Sequence, residues 1–186
     1  MSETASPEAV IGATTQWLER AVIGLNLCPF AKAVHAKGQI RYVVSDATTP
    51  EVLAEELGRE LEFLAEANAE QVDTTLLIHP RVLGDFLDFN DFLDVADGLV
   101  EALELDGMLQ VASFHPQFQF EGTDTDDITN FSNRSPYPTL HLLREDSVER
   151  AVAAFPEELE IASRNIATLE KLGHEGWQAL GLKKPD

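Results

Sequence analysis

The sequence predicts an α/β fold: a mostly parallel four-stranded sheet flanked by helices, with a long ordered loop between the third and fourth strands. Two observations support this class. Short apolar segments alternate along the chain with segments whose apolar residues recur every three or four positions, the spacing of amphipathic helices. The order strand, helix, strand, helix, strand is the pattern of right-handed parallel crossovers. With 186 residues the chain suffices for one domain with an apolar core, so we treat residues 1–186 as a single domain.

Local signals justify the elements of the first half of the chain. They are helices over 8–25, 29–35 and 50–68 and strands over 40–45 and 74–79. Pro29 favours the first turn of the short second helix, and Gly38 ends that helix. Thr48 and Glu51 fit a capping box for the third helix. The nearly unbroken apolar run over 74–79 is typical of a strand whose two faces are both covered.

The second half of the chain begins with a helix over 91–104, which should turn Val95, Leu99 and Leu103 towards the core. The remaining predicted elements are strands over 108–115 and 139–143, helices over 146–155 and 164–172, and a short packed tail with Trp177 and Leu180.

Residues 115–138 have no helical or strand periodicity, yet they contain several aromatic side chains: Phe118, Phe120, Phe131 and Tyr137. A loop of this length inside a domain is uncommon unless it has a function. A solvated, disordered segment does not need aromatic residues. We therefore expect an ordered loop that builds a site.

Charge and composition restrict the partners. Thirteen Lys and Arg against 33 Asp and Glu give a formal net charge of −20, which repels phosphate backbones and anionic membranes. We therefore expect no nucleic acid and no membrane as a partner, and a small-molecule ligand instead. The chain has no long apolar run and no signal-peptide pattern, so we expect a cytoplasmic protein. Its single cysteine excludes an internal disulfide and a Cys-rich zinc module.

Two predicted strands end in the dipeptide His-Pro, at His79 and His115. If these strands are parallel neighbours about 5 Å apart, both imidazoles lie at the sheet edge where open α/β sheets bind ligands. They could then face one ligand, proton or transition metal such as zinc. A catalytic zinc site needs a third protein ligand, which Cys28, Glu121 or Asp124 could supply. Alternatively, each imidazole simply bonds a nearby carbonyl where its strand ends. His141, which alternates with leucines in a strand, is expected to be structural.

Cys28 is predicted at the N-cap of the short second helix. The free N–H groups and the dipole at a helix N-terminus are expected to lower the pKa of its thiol. Cys28 is therefore a candidate nucleophile or a soft metal ligand. Alternatively, it is a small buried apolar residue, as lone cytosolic cysteines often are. No local signature of a known cysteine hydrolase surrounds it.

Arg134 is the only cation of the predicted loop, and its planar guanidinium suits a carboxylate or a phosphate. Asn133 and Ser135 would add neutral donors, and Tyr137 is fixed between two prolines, so these three residues are candidates for substrate binding. Alternatively, Arg134 pins the loop through a salt bridge with one of its aspartates: Asp124, Asp126 or Asp127.

Three segments carry a resemblance to a known family: GLNLCPFA at 24–31, SFHP at 113–116 and NRSPYPTLHLLRE at 133–145. Together they resemble a bacterial family of domains of unknown function of about this length, and the resemblance covers nearly the whole chain. It implies a single-domain, cytoplasmic bacterial protein, and it implies no activity.

Two classes of function fit these observations. The first is a small enzyme, for instance a hydrolase, acting on a small polar or anionic metabolite. Its pocket would be surrounded by Cys28, His79, His115 and Arg134, with residues 117–135 as a lid. His115 would be a general acid/base or metal ligand, Cys28 a nucleophile or ligand, and Arg134 an anion clamp. The second class is a non-enzymatic module that binds a metal or a partner protein.

Overall fold

Helices and strands alternate along the chain in a computed structural model that describes residues 5–154 and 158–183. The helices are α1 (Pro7–Trp17), α2 (Pro29–Ala36), α3 (Pro50–Glu66), α4 (Phe86–Ala102), α5 (Glu145–Ala154) and α6 (Glu158–Gln178). The strands are β1 (Ile40–Val44), β2 (Thr74–Ile78), β3 (Leu109–Phe114) and β4 (Thr139–Arg144). A π-helical segment, Leu18–Ile23, continues α1, and a 3-10 helix, Ile128–Asn133, lies in the long loop.

The four strands form one sheet in the order β1, β2, β4, β3. β1 and β2 are parallel, whereas β4 runs antiparallel to both β2 and β3. The α/β class is confirmed, but the prediction of a mostly parallel sheet is wrong. The segment between β3 and β4 contains no crossover helix, so the chain re-enters the sheet at the edge where β3 ends, and this makes the two strands antiparallel. β1, β2 and β3 still end at one edge.

One face of the sheet is covered by α3 and α4, and we call it the α3–α4 face. Its core is formed by leucines of α3, aromatic and small residues of α4 and leucines of the sheet. The fully or almost fully buried members are Leu53, Leu57, Leu61, Leu64, Phe89, Phe92, Ala96, Leu77, Leu140 and Leu142. A core of this kind stabilises the fold by removing apolar surface from water.

The opposite face carries α1, the π-helical segment and α2, and we call it the α1–α2 face. Val10 and Ala13 of α1 pack on Leu76 and Ile78 of β2. A second cluster joins Trp17 and its π-helical neighbours to Phe114 of β3 and to the C-terminal part of the chain. The sheet therefore separates two cores that share no side chains.

Caps explain where two of the helices begin. The Asp85 carboxylate accepts hydrogen bonds from the backbone N–H groups of Leu87 and Asp88, so α4 starts five residues before the predicted boundary. As a result α4 buries Phe89 and Phe92, and the predicted inward residue Val95 is 46% exposed. The cap of α3 is the hydroxyl of Thr49, not of Thr48.

The C-terminal helices also differ from the prediction. α6 begins at Glu158, before the predicted boundary at 164. It is interrupted at Gly173 (φ 67°, ψ 177°), next to the predicted end at Leu172, and a second helical piece includes Trp177. The predicted end of α5, Phe155, lies outside the described residues.

Candidate functional site

His79 and His115 both lie on the α3–α4 face, where they are completely buried. Their rings contact Phe89 of α4, with centroid distances of 5.7 Å for His79 and 4.9 Å for His115. They follow β2 and β3, which are not neighbours because β4 lies between them. The two histidines thus share the predicted edge of the sheet, but they belong to its apolar core.

Both ring nitrogens of His115 are used by the protein. The backbone N–H of Gln117 donates to Nδ1 at 3.0 Å, so Nε2 carries the proton and donates to the carbonyl of Leu83 at 3.0 Å. Burial lowers the pKa of this imidazole, which favours the neutral form that the hydrogen bonds require. This is the arrangement of a structural histidine, the alternative considered from the sequence.

His79 has a similar anchor on the same turn. Its Nδ1 lies 3.0 Å from the carbonyl oxygen of Val82, and its Nε2 is buried without a partner among the described residues. Burial is the main cause that lowers its pKa to about 4, so the ring is neutral at pH 7. The two histidines therefore fix the consecutive carbonyls of Val82 and Leu83, at a point where Leu83 has a left-handed φ of 60°.

Cys28 lies on the other side of the sheet. It caps α2 as predicted, and it packs with the Trp17 cluster of the α1–α2 face. Because the sheet separates it from His115, the two residues cannot share a ligand, and the predicted joint site is wrong. Burial raises the pKa of the thiol, although the N–H groups of Phe30 and Ala31 lower it. The expected lowering is therefore wrong too, since desolvation outweighs the helix terminus.

The structure does not bring together His79, His115 and Cys28, the three residues expected to bind a metal. Within residues 5–154 and 158–183, no group of three or more His, Cys, Asp or Glu is placed to hold a metal ion. The two histidines already donate to carbonyls, and Cys28 is on the opposite face.

Arg134 organises the long loop through backbone contacts. Its Nε donates to the carbonyl of Phe118 at 3.0 Å, and its Nη2 donates to the carbonyl of Thr125. The guanidinium carbon lies 4.5 Å from the centre of the Phe131 ring. These contacts include no salt bridge to a described loop aspartate, so the structure does not show that alternative. The loop is ordered as expected, but carbonyls and an aromatic ring hold it.

The other candidates in this motif are turned towards the protein. Asn133 donates from Nδ2 to the carbonyl of Ser113 at 3.2 Å, which ties the loop to β3. The hydroxyl of Ser135 donates to the carbonyl of Tyr137 at 2.6 Å. Tyr137 itself is only 9% exposed and packs against α1. Sequence analysis also missed Asn130, whose amide joins Phe120, Thr123 and Asp124 at the centre of the loop.

A cavity of about 310 Å³ lies on the α1–α2 face, between the sheet and the helices α2, α5 and α6. Most of its walls are apolar. They include Trp17, Leu18, Val22, Leu27, Val34, Leu76, Ala112, Phe114, Leu143, Val148, Val152 and Ile161. The polar side chains at its surface are those of Cys28, Thr74, Gln110, His141 and Trp17. The Thr74 hydroxyl already donates to the carbonyl of Leu142, and the buried indole N–H of Trp17 has no partner among the described residues.

His141 lies on β4, in the middle of the sheet, and its ring lines this cavity. It contacts Phe114 with a centroid distance of 5.8 Å, but its nitrogens form no hydrogen bond with any residue of 5–154 or 158–183. Burial lowers its pKa to about 4, so both nitrogens belong to a neutral imidazole at pH 7. The sequence analysis treated this histidine as structural. The available signal was its alternation with Leu140 and Leu142, which places it on the opposite covered face.

These features define an α/β protein with an open mixed sheet and an apolar cavity beneath one face. The chain belongs to the family described as Protein of unknown function (DUF1415), whose model matches residues 9–179. This confirms the resemblance to a family of unknown function of about 180 residues. No curated protein and no solved structure matches the chain. A search of the described helices finds none with the length and apolar character needed to cross a membrane.

Proposed function

We propose that this protein binds a small molecule with a largely apolar body and one hydrogen-bonding group, and that His141 is the polar anchor of this ligand. The observation that carries the proposal is a neutral imidazole without a partner among the described residues, facing an apolar cavity of about 310 Å³. The half-buried His141 imidazole has one donor and one acceptor nitrogen at the surface of this cavity. A ligand hydroxyl or amide would supply a hydrogen bond to it.

The dimensions of the cavity indicate the size of the ligand. A volume of 310 Å³ lies within the lower range of small-molecule pockets. Since an apolar cavity of about 150 Å³ accommodates benzene, this one suits a body of about two fused rings. Trp17 and Phe114, whose rings pack edge to face at 5.0 Å, offer aromatic surface for such a body.

Gln110 of β3 supplies a second polar side chain at this cavity. Ala112 is the partner of His141 in the pairing of β3 with β4, and Gln110, two residues before it, also lines the cavity. The Gln110 side chain forms no hydrogen bond within the described residues. It offers both a donor and an acceptor next to the imidazole, so a ligand hydroxyl could be bound from two sides.

The pKa shifts of Cys28 and His141 favour ligand binding over nucleophilic catalysis. Burial raises the pKa of the Cys28 thiol and lowers that of His141 to about 4. At pH 7 the thiol is protonated and the imidazole is a weak base, whereas nucleophilic catalysis needs a thiolate. The predicted enzyme with Cys28 as nucleophile remains a second candidate, because Cys28 and His141 line the same cavity. His141 would then replace His115 as its partner.

Calorimetric titration with 2-naphthol and naphthalene tests the binding proposal. The two probes have the same ring system, but only 2-naphthol has a hydroxyl that can donate to His141. We expect 2-naphthol to bind more tightly, by about fivefold, since a hydrogen bond contributes about 1 kcal/mol. His141→Leu should abolish this advantage, and His174→Leu, at an exposed position, should preserve it.

A cavity-filling variant provides an independent control. Ala112→Leu places extra atoms directly opposite His141, so both probes should lose their binding. Wild-type protein that binds neither probe would contradict the proposal. So would an Ala112→Leu variant that binds both probes as before.

Alkylation of Cys28 by iodoacetamide at different pH values distinguishes the two candidates. For a binding protein we expect slow reaction at pH 7 that rises about tenfold per pH unit and levels off only above about pH 9, because the thiolate is the reactive species and burial raises the pKa of the thiol. Rapid alkylation at pH 7 that His141→Leu slows would instead favour the enzyme.

A further inference from the structure

A second pocket, of about 410 Å³, opens between the long loop and the C-terminal end of the described chain. Its walls are mainly aromatic rings and prolines: Trp17, Phe131, Trp177, Pro116 and Pro136. Its polar side chains are those of Arg134, Ser135, Gln178 and Lys183. Two cations therefore border an aromatic pocket in a protein whose formal net charge is −20.

The charge of Arg134 is not neutralised by the residues that hold it. Its partners are two carbonyl oxygens and the Phe131 ring, and no described carboxylate forms a salt bridge with it. Asp126 acts on it only at a distance, and burial lowers the pKa of the guanidinium. Nε and Nη2 are engaged, which leaves the Nη1 N–H groups without a partner in the described chain. This fixed cation is ready to bind an anion.

The opposite wall of the pocket is also held in place. Nη1 of Arg20 donates to the carbonyls of Leu180 and Gly181 at 3.0 and 3.1 Å. The backbone N–H of Lys183 donates to the side chain of Gln16 at 2.7 Å. The segment that carries Lys183 is thus anchored to the first helices, and the ammonium group forms no salt bridge with the described residues.

Aromatic packing joins these two walls. Phe131, which lies under the Arg134 guanidinium, packs edge to face on Trp177 with centroids 5.1 Å apart. The cation and the aromatic surface are therefore parts of one arrangement, and neither needs to form when a ligand arrives. Such preorganisation reduces the entropic cost of binding.

We propose that this pocket binds an oxyanion, a carboxylate or a phosphate, attached to a flat apolar body. Arg134 donates to the oxyanion through its planar guanidinium, Lys183 adds a second positive charge, and the body packs on Trp177 and the prolines. The site is distinct in chemistry from the cavity beside His141, which takes a neutral polar group. It keeps Arg134 of the predicted anion site and adds Lys183 and Trp177, whereas the hydroxyl of Ser135, which also borders the pocket, already donates to the Tyr137 carbonyl.

Tryptophan fluorescence at low ionic strength tests this site, because both tryptophans of the chain line the pocket. The probes are benzoate and phenyl phosphate, with benzamide as the neutral analogue of benzoate. We expect saturable binding of at least one anion and at least tenfold weaker binding of benzamide. Whichever anion binds more tightly identifies the carboxylate or the phosphate as the ligand group.

Charge variants assign the binding to this pocket. Lys183→Glu should weaken the preferred anion about tenfold, whereas Lys171→Glu, at an exposed position of α6, should leave it nearly unchanged. Arg134→Lys, which keeps the charge but loses the planar fork, should also weaken it, with circular dichroism to check that the variant is folded. His141→Leu should have no effect on anion binding.

Three results would overturn the proposal. One is that neither anion binds. Another is that benzamide binds as tightly as benzoate. The last is that Lys183→Glu and Lys171→Glu bind the anion equally well, which would assign the effect to net charge alone. Anion binding that is lost in His141→Leu would place the anion in the other cavity and would also count against this site.

Discussion

The histidines on the two faces of the sheet differ in their hydrogen bonding. On the α3–α4 face, His115 has a partner for each nitrogen and is fully buried against Phe89. On the α1–α2 face, His141 has no hydrogen-bond partner among the described residues and lines a cavity. Burial depresses the pKa of both imidazoles, so titration alone does not distinguish them. Their partners do: two backbone groups hold the ring of His115, whereas no described residue forms a hydrogen bond with the ring of His141.

The cover over each face explains the difference. α3 and α4 have 17 residues each, and their inward positions are filled with leucine and phenylalanine. The opposite face is covered by more pieces: α1 of 11 residues, a π-helical segment of six, α2 of eight, α5 of ten, and α6, which is interrupted at Gly173. These separate pieces leave a cavity next to β3 and β4.

The largest effect on the free energy of unfolding is expected when one phenylalanine on each face, Phe89 or Phe114, is replaced by alanine. Phe89→Ala should lower the free energy of unfolding by about 3–5 kcal/mol, since Phe89 is fully buried in a closed core. Phe114→Ala should cost less, about 1–3 kcal/mol, because Phe114 already borders a cavity. Urea denaturation measures both, with Leu87→Ala, 72% exposed on α4, as a control that should change stability by less than about 0.5 kcal/mol. Equal losses at Phe89 and Phe114 would contradict the difference between the faces.

The second largest effect on stability is expected when His115 and His141 are each replaced by leucine. His115→Leu should cost about 2–4 kcal/mol, because the Leu83 carbonyl and the Gln117 N–H lose their partners inside the protein. His141→Leu should change stability by less than about 1 kcal/mol or increase it, because it removes a polar ring that has no hydrogen bond to lose. Denaturant unfolding at pH 7 compares them, and a large loss at His141 would show that its ring has a structural partner.

The pH dependence of stability gives the smallest effect. The pKa of His141 is about 4 in the folded protein, against an ordinary value of 6.5. Between these values the unfolded chain binds the proton and the folded chain does not, so the stabilisation is complete above pH 6.5 and is lost as pH falls towards 4. From pH 7 to pH 5 this amounts to about 2 kcal/mol. Between pH 7 and pH 5, His141→Leu should therefore lose about 2 kcal/mol less stability than wild type. Parallel curves of unfolding free energy against pH for the two proteins would contradict the assigned pKa.

Several features could be predicted from the sequence because they depend on neighbours in the chain. Pro29 starts α2, and Gly38, at φ 66°, follows its end, as expected. The approximate positions of the four strands are also confirmed. The start of α4 was missed because the helix was predicted from residue 91 and Asp85 was not recognised as its N-cap.

The candidate site was harder to predict, because its chemistry depends on contacts over long distances. His115 and Leu83 are 32 residues apart in the chain, and Arg134 is 16 residues from its partner Phe118. No local pattern indicates that these side chains find backbone carbonyls. Residue type indicated which loop side chains could take part in polar chemistry, but it could not show that most of them bond backbone groups of the protein.

The sequence by itself determined the α/β class, the alternation of helices and strands, the ordered state of the long loop and the membership of a family of unknown function. Each of these depends on periodicity, on local turn residues or on motifs read in order. Only the tertiary structure decided that β4 enters between β2 and β3, that Cys28 and His115 lie on opposite faces and that His141 faces a cavity. Burial and hydrogen-bond partners are properties of neighbours in space, and the fold alone brings those neighbours together.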